Sequence, residues 1–219
     1  MLHDNPVYRV KRFEIITEAD ARLLPRGETV VLAKGGHVTP LAADTLRERR
    51  ITVTGEGAVA ADAASLVPAA TVRSVSIGSD HTGIAFRKAL VAHLRGRGLA
   101  VADVGTDTTD AVDYPDIAEA VARPVARGEV DAGIVIDGAG IGSAMAANKI
   151  HGIRAVMATT ETIARYSREH NGANVLSLGS TLLTIDDAKA IVTTWLSTAI
   201  REPRYIRRLA KISALERRG

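Results

Sequence analysis

An aspartate at the start of a glycine-rich loop is the residue best placed for chemistry in this sequence of 219 residues. The apolar run of residues 132–136 ends at Asp137, and Gly138, Gly140 and Gly142 follow at every second position. Glycines at this spacing permit a sharp turn and expose successive backbone N–H groups, and the helix that follows adds partial positive charge. The pattern therefore predicts a site for an anion or a developing oxyanion.

Two other interpretations of this loop remain open. A dinucleotide site is typical of G-x-G-x-x-G after the first strand, with an acidic residue about 20 positions later. The loop here is G-x-G-x-G after about the third strand, and Glu161 is the only candidate for the ribose-binding acid. Alternatively, the three glycines form a structural turn that holds no ligand.

Basic residues are concentrated at the end of the chain. Residues 201–219 contain seven arginines and lysines against two glutamates, although the net charge of the chain is only +3. Arg204 and Arg208 are four apart on a predicted helix, so they share one face and could bind one phosphate. Alternatively, the basic side chains form a face of the helix that is exposed to solvent, as we expect for Arg207.

Composition excludes several classes of protein. Aromatic residues are only 3% of the chain, which argues against modules that stack bases on aromatic side chains. There is no cysteine, so disulfides and thiolate sites are excluded. No apolar run approaches the about 20 residues of a membrane span, and the N-terminus does not resemble a signal peptide. We expect a cytoplasmic protein.

The helices and strands that must position these residues are predicted from residue 74 onward. Short apolar strands alternate with amphipathic helices, which predicts a three-layer α/β/α sandwich with a five-stranded, parallel, Rossmann-like sheet over residues 74–219. Ligands bind beyond the carboxyl ends of such strands, where Asp80, His81, Asp137 and Gly179 fall. The five predicted strands are SVSIGS, LAVADVG, AGIVID, IRAVMA and NVLSLG.

The first 55 residues form a separate pattern. Thr17 and Asp20 indicate a helix start, Thr39 followed by Pro40 begins a second helix, and TVVLA and ITVTG are predicted strands. We therefore expect a small α+β extension over residues 1–55. Residues 56–73 are rich in alanine and glycine without periodicity, which is typical of a linker.

Six motifs follow one another along the chain from about residue 75 to residue 217. They are SIGSDHTGIAFRKAL, DYPDIAEAVA, DGAGIGSAMAANK, GIRAVMA, REHNGANVLSLGS and PRYIRRLAKI. In this order and spacing they resemble the type B ribose-5-phosphate isomerase family, which includes the galactose-6-phosphate isomerase subunits. The resemblance implies an aldose–ketose isomerase that uses neither a metal ion nor a cofactor and works through an enediolate.

The resemblance assigns the base to the start of the glycine loop. Most members have a cysteine where Asp137 stands, and others use a glutamate at about the position of Ser143. Asp137 is therefore the only ionisable side chain of the loop and the candidate base. A free aspartate is almost wholly ionised at pH 7, whereas a free thiol is only a few per cent thiolate. The alternative is an aspartate that caps the following helix or binds a sugar hydroxyl in an inactive site.

The resemblance also assigns residues that contact the substrate. The N–H groups of residues 139–143 would stabilise the enediolate, with Ala139 in place of a frequent threonine. His170 would protonate the ring oxygen, and Asp80 would assist ring opening. The expected catalytic residues are therefore Asp137, His170, Asp80 and Ser143, the last of these at the end of the loop that supplies the N–H groups. Thr181 replaces a common arginine, which leaves the preferred sugar open. The expected substrate-binding residues are His81, Tyr114, Gly138, Ala139, Gly140, Gly142, Asn148, Asn171, Arg204 and Arg208, although Asn148 could instead only tie down its helix.

The resemblance has consequences for partners. It implies a homodimer or tetramer with the site between two subunits. Residues 37–53 also resemble a segment of bacterial microcompartment proteins, so residues 1–55 either dock to a shell or partner enzyme inside such a compartment or extend the dimer. Two other functions remain open: a non-catalytic sugar-phosphate-binding or scaffold protein derived from the isomerase, and a nucleic-acid binder, which only the basic tail supports.

Overall fold

Five apolar segments form one parallel sheet in the computed structural model of the chain, which describes residues 11–55, 67–200 and 202–216. The chain divides into two compact units, Met1–Ser65 and Leu66–Gly219. The strands of the second unit are β4 (Ser74–Ser79), β5 (Ala100–Asp103), β6 (Ala132–Asp137), β7 (Ala155–Met157) and β8 (Val175–Gly179). Their order in the sheet is β5-β4-β6-β8-β7.

Helices cover both faces of this sheet, as the sequence predicts. Side chains alternate along a strand, so Ile134 and Ile136 enter one buried cluster and Val135 enters the other. Trp195 and Leu90 lie in the first cluster and are fully buried, and burial of a side chain of this size contributes about 1.5–3 kcal/mol. The helices of the first face are α3 (Ile84–Gly96), α6 (Glu161–Glu169) and α7 (Ile185–Ser197), and those of the second are α4 (Tyr114–Ala126) and α5 (Ile141–Ala147).

The last helix, α8 (Pro203–Glu216), packs near the start of β8. Leu209 of α8 contacts the backbone at Gly172 so closely that a Cβ atom there would lie 2.7 Å from a leucine methyl group. The carboxylate of Glu216 accepts a hydrogen bond from the N–H of Gly152 at 2.6 Å. Within the described residues, no helix combines the length and the apolar character that crossing a membrane requires.

The first unit has a sheet of its own, with parallel strands in the order β1-β2-β3. Thr17 forms a capping box with Asp20, and Thr39 caps the helix that begins at Pro40, as expected. The strands and helices alternate, which is an α/β rather than the expected α+β arrangement. Its elements are β1 (Arg12–Ile16), α1 (Glu18–Leu23), β2 (Thr29–Val38), α2 (Pro40–Glu48) and β3 (Thr52–Gly55).

The difference arises because the sequence analysis missed β1 and ended β2 too early. Only Ile16 of β1 is buried, so an apolar pattern is almost absent from this edge strand. Beyond the predicted TVVLA, β2 continues through Gly35 and Gly36, where its register against β1 shifts. The predicted linker of residues 56–73 lies partly outside the described residues, and residues 67–73 contain neither helix nor strand.

Asp131 joins the beginnings of two central strands. Its carboxylate accepts hydrogen bonds from the backbone N–H groups of Arg73 and Ser74, at 2.7 and 2.9 Å, and from the Ser74 hydroxyl at 3.0 Å. Partial burial raises the pKa of Asp131, but these hydrogen bonds outweigh burial and hold the pKa below its usual value. The ionised side chain therefore fixes β4 beside β6.

We predict that Asp131→Asn lowers the free energy of unfolding at pH 7 by about 1 kcal/mol. The loss is no larger because Asp131 is partly exposed and solvent weakens its interactions. Because the pKa is depressed by folding, this contribution is complete above the unfolded-state pKa and is lost as pH falls through the folded-state pKa. Denaturant unfolding at pH 7 and near pH 3 measures it. Asp186→Asn is the control, since Asp186 forms only an exposed ion pair with Lys189. An equal loss at both pH values would contradict the prediction.

Candidate functional site

The strand order places two aspartates side by side at the carboxyl edge of the sheet. The chain leaves β4 towards β5 on one side and reaches β6 on the other, so the order reverses between β4 and β6. Such a switch point opens a crevice at the carboxyl ends of the two strands. Asp80 follows β4 and Asp137 ends β6, and the N–H of Asp80 donates to the Ile136 carbonyl at 3.2 Å.

The carboxylate of Asp137 is held by the N–H groups of its own loop. Its Oδ1 accepts from Ala139 at 2.8 Å and from Gly140, and its Oδ2 accepts from Ser143 at 3.0 Å. Asp137 is only 5% exposed. The N–H groups that the resemblance assigns to an enediolate therefore bind this side chain. Oδ1 has two donors and Oδ2 has one, so Oδ2 keeps the greater capacity to accept a proton or hydrogen bond.

The backbone of the glycine loop lies so close to β8 that a residue with a side chain would not fit at Gly140. Gly140 has φ +76, and a Cβ atom there would lie 2.8 Å from the Leu178 carbonyl carbon. The Thr181 hydroxyl donates to the Gly138 carbonyl at 2.6 Å, and the Ser180 N–H donates to the Asp137 carbonyl at 2.8 Å. Thr181 therefore clamps the loop, where the resemblance leads one to expect an arginine.

Ser143 lies beneath the carboxylate at the start of α5. The residue is fully buried, and its N–H is one of the three donors to Asp137. Its Oγ has no hydrogen-bond partner among the residues that the structure describes. The observed contact of Ser143 with Asp137 is therefore made by its backbone N–H, and a catalytic role of its side chain stays a prediction.

Three further predicted residues lie at the same edge. Asp80 is buried, and its Oδ1 accepts from the N–H and hydroxyl of Thr82 at 2.9 and 2.6 Å. The Nδ1 of His81 accepts from the Val112 N–H at 3.2 Å, which assigns the proton of the neutral ring to Nε2. The ring of Tyr114 covers Gly142, where a Cβ atom would lie 2.6 Å from it. We call Asp80, His81, Tyr114, residues 137–142 and Ser143 the loop cluster.

The sequence analysis missed a buried arginine that supports this cluster. Arg87 of α3 is 1% exposed and donates to the Thr106 carbonyl at 2.6 Å and to Asp107 at 2.7 Å. Its Nε lies 3.1 Å from Asp103. These contacts fix the segment after β5, which leads to Val112 and Tyr114. Nothing in the helical pattern distinguishes Arg87 from a solvated arginine.

Asn148 is directed away from the glycine loop. Its side-chain amide donates to the Ala155 carbonyl at 2.8 Å and accepts from the Ala155 N–H at 2.7 Å. The paired hydrogen bonds fix the end of α5 against β7. These contacts support the alternative in which Asn148 ties down its helix, and its contact with a ligand stays a prediction.

The remaining predicted residues form a second group. His170 lies between the rings of Tyr166 and Tyr205, with ring centroids 4.6 and 4.5 Å away. The side-chain amide of Asn171 donates to the Tyr166 carbonyl at 3.2 Å. Arg204 lies over the ring of Tyr205 at 4.8 Å, and Arg208 lies 5.7 Å from the same ring. We call Tyr166, His170, Asn171, Arg204, Tyr205 and Arg208 the histidine cluster.

A buried arginine fixes the helix end that carries His170. Arg168 is 1% exposed, donates to the carbonyls of Ala173 and Ala69, and lies 4.8 Å from the Trp195 ring. Burial, assisted by the nearby charge of Arg154, lowers the pKa of Arg168 to about 10. Arg168 is therefore still charged at neutral pH and holds the end of α6 firmly.

The fold places the two clusters at opposite edges of the sheet. Helix α6 begins after the carboxyl end of β7 and returns to the amino end of β8, so His170 lies at the amino edge. Asp137 lies at the carboxyl edge, level with Gly179 at the end of β8. A five-residue strand spans about 16 Å. One chain therefore does not bring Asp137 and His170 together.

The sequence analysis also missed Tyr166 and Tyr205, although signals for both were present. Tyr166 and His170 are four apart on one helix, which places their side chains on the same face. Tyr205 adjoins Arg204 in the predicted phosphate-binding helix.

Among the described residues, no group of three histidine, aspartate or glutamate side chains could hold a metal ion.

Comparison with known proteins places these features in a family. A family model described as Ribose/Galactose Isomerase matches residues 75–212. Ribose-5-phosphate isomerase B of Escherichia coli is 43% identical over 147 residues, which are 67% of this chain and 99% of that protein.

Solved structures agree with this match. The ribose-5-phosphate isomerase B of Clostridium thermocellum is 44% identical, with a TM-score of 0.65 over 66% of this chain and 98% of that one. The enzyme of Mycoplasma genitalium, solved with bound ribulose-5-phosphate, is 38% identical, with a TM-score of 0.65 over 67% of this chain and 97% of that one. From residue 75 onward, therefore, the chain belongs to the ribose/galactose isomerase family.

Proposed function

We propose that this chain interconverts ribose 5-phosphate and ribulose 5-phosphate, or a closely related pair of sugar phosphates, through an enediolate. The E. coli and C. thermocellum relatives are named ribose-5-phosphate isomerase B, and this chain spans nearly all of each. The M. genitalium relative was solved with the ketose bound. The loop cluster and the histidine cluster together contain the ionisable and cationic groups that this reaction requires.

The placement of the Asp137 carboxylate is the observation that carries the proposal. It is ordered by three backbone N–H groups at the switch point of the sheet, beside Asp80. The ring opens as His170 donates a proton to the ring oxygen and Asp80 accepts the proton of the C1 hydroxyl, and Oδ2 of Asp137 then removes the proton from C2. The carboxyl of Asp137 returns that proton to C1 of the enediolate while the proton on O2 moves to O1, which gives the ketose and regenerates the carboxylate. Proton transfer through solvent from Asp80 to His170 restores both groups.

The opposite placement of the two clusters leads us to propose that each site is built from two chains. Asp137 of one chain would meet His170, Arg204 and Arg208 of a second copy. Exposed apolar side chains flank the glycine loop and would supply the contact surface, since Ile141 and Met145 on α5 are 51% and 64% exposed. A homodimer is the smallest assembly that completes the site.

A non-catalytic sugar-phosphate-binding protein is the second candidate. Three N–H groups of the glycine loop are bound to Asp137, so fewer donors remain for a developing oxyanion. An aspartate whose only role is to cap the loop would produce the same hydrogen bonds. Substitutions at Asp137 separate the two functions.

We predict that Asp137→Asn reduces the exchange of the C2 proton of ribose 5-phosphate in deuterated water at least about a hundredfold, because the amide is not a base. NMR measures the exchange, and calorimetry checks that the sugar phosphate still binds. Asp137→Cys is the matched variant: it removes the cap but supplies a thiolate as pH rises, so exchange should return and increase towards about pH 8.5. Binding by the wild type without exchange would favour the non-catalytic protein.

We predict that two inactive variants complement each other when they come from different clusters. A heterodimer of Asp137→Asn and His170→Ala chains has one site with both changes and one intact site. A statistical mixture should therefore regain about a quarter of wild-type activity. Asp137→Asn mixed with Asp80→Asn is the control, because both changes lie in the loop cluster and no intact site forms. Absence of recovery in the first mixture would show that one chain supplies both residues.

We also propose that residues 1–55 dock the enzyme to a microcompartment shell or a partner enzyme. The support is that the described part of this extension has its own buried core of Ile16, Leu24, Val30 and Leu46, separate from the cores of the isomerase unit. The family match begins only at residue 75. The extension is therefore a folded addition.

Deletion of residues 1–60 should abolish co-purification with shell proteins while isomerase activity is retained, because the site lies in the second unit. Co-expression with the shell proteins followed by affinity capture measures this. The full-length Asp137→Asn chain is the control, since it should still co-purify. Unchanged co-purification of the deletion variant would overturn docking and favour an extension of the dimer.

A further inference from the structure

The imidazole of His170 is covered on both faces by phenol rings. Tyr166 lies on one face with an angle of 16° between the ring planes, and Tyr205 lies on the other with an angle of 30°. A carboxylate oxygen of Glu169 lies 3.9 Å from Nε2. A ring that is stacked on both faces can meet a ligand only through its edge, where its two nitrogen atoms lie.

The two tyrosines come from different helices and differ in exposure. Tyr166 is on α6, one turn before His170, and is 45% exposed. Tyr205 is on α8 and is 6% exposed, so its ring forms a buried wall for the imidazole. The stack therefore sets the position of His170 relative to the helix that carries Arg204 and Arg208.

Arginines extend the stack at both ends. The Arg165 guanidinium lies 5.2 Å from the centre of the Tyr166 ring, and the Arg204 guanidinium lies 4.8 Å from that of Tyr205. Arg204 also donates to the Tyr205 hydroxyl at 2.9 Å. Its Nε lies 2.5 Å from the carboxylate of Glu202. Tyr205 thus contacts the proposed proton donor through its face and a proposed phosphate ligand through its hydroxyl.

We propose that Tyr166 and Tyr205 are positioning residues of the isomerase site. They restrict the imidazole of His170 to one plane and present its edge to the sugar, and Tyr205 also sets the distance from this edge to Arg204. This inference rests on the proposed isomerase function. Fixed placement matters because a displacement of about 1 Å at a reacting group can cost about a hundredfold in rate.

The first test needs no activity. Protons above or below an aromatic ring resonate upfield, so the ring protons of His170 should be shifted upfield in the wild type. Tyr205→Leu and Tyr166→Leu should each move these signals downfield, whereas Tyr205→Phe should leave them in place. His170→Ala identifies the signals among those of the six histidines. Signals that do not move in either leucine variant would overturn the proposal.

The second test separates kcat from KM. Tyr166→Leu and Tyr205→Leu should lower kcat by about ten- to a hundredfold, because His170 loses its fixed plane. Tyr205→Phe should keep kcat but raise KM by about three- to tenfold, since Arg204 loses one hydrogen bond. Ile163→Ala is the control for loss of an exposed side chain on α6, and its kcat should be unchanged.

The outcomes separate this proposal from the proposed function. A wild-type protein that does not isomerise the sugar phosphate refutes the function, while the NMR signals still report on the stack. An active wild type whose leucine variants keep full kcat, although the His170 signals have moved, refutes the positioning role. If Tyr205→Leu does not fold, the more exposed Tyr166 supplies the same test.

Discussion

The hydrogen bonds between the Asp137 carboxylate and its own loop are the interaction on which the site depends. Three of the five residues of the loop after Asp137 are glycines without side chains, so its shape depends largely on contacts of its backbone. Three N–H groups converge on the carboxylate, and the close approach of Gly140 to β8 allows no side chain at that position. The residue at the predicted position of the base is thus also the residue that shapes the loop.

The parallel topology explains why a single chain carries the loop cluster and the histidine cluster at opposite edges of the sheet. Every helix of the sandwich runs back against its strands, so residues at strand ends and residues at helix ends lie at opposite edges. Asp137 follows a strand and His170 follows a helix. The proposal that a second copy completes the site thus rests on the direction of the chain and not on any preference of the surface for association.

The sequence predicted the second unit well because its signals are strong. Strands β4, β6 and β8 are almost wholly buried, and each of the strands β4 to β8 is followed by a helix, so apolar runs and glycine breaks mark the elements. The edge strand β1 escaped prediction because a single buried residue leaves no periodicity. At the site, the glycine spacing located the loop and the family resemblance located His170, but neither could show that Asp137 binds its own loop or that Asn148 faces Ala155. Those contacts depend on backbone dihedral angles that the sequence pattern does not encode.

The two clusters are ordered by different physical means, and this difference constrains how a complete site would form. Backbone hydrogen bonds and burial fix the loop cluster, so its geometry does not depend on a second chain. Stacked rings and arginines at the protein surface order the histidine cluster, in which Tyr166 is still 45% exposed. Because the stack orients His170 before association, a partner would meet a preformed edge rather than a mobile side chain. The entropy of ordering that side chain is then lost on folding and does not reduce the free energy of association or of substrate binding.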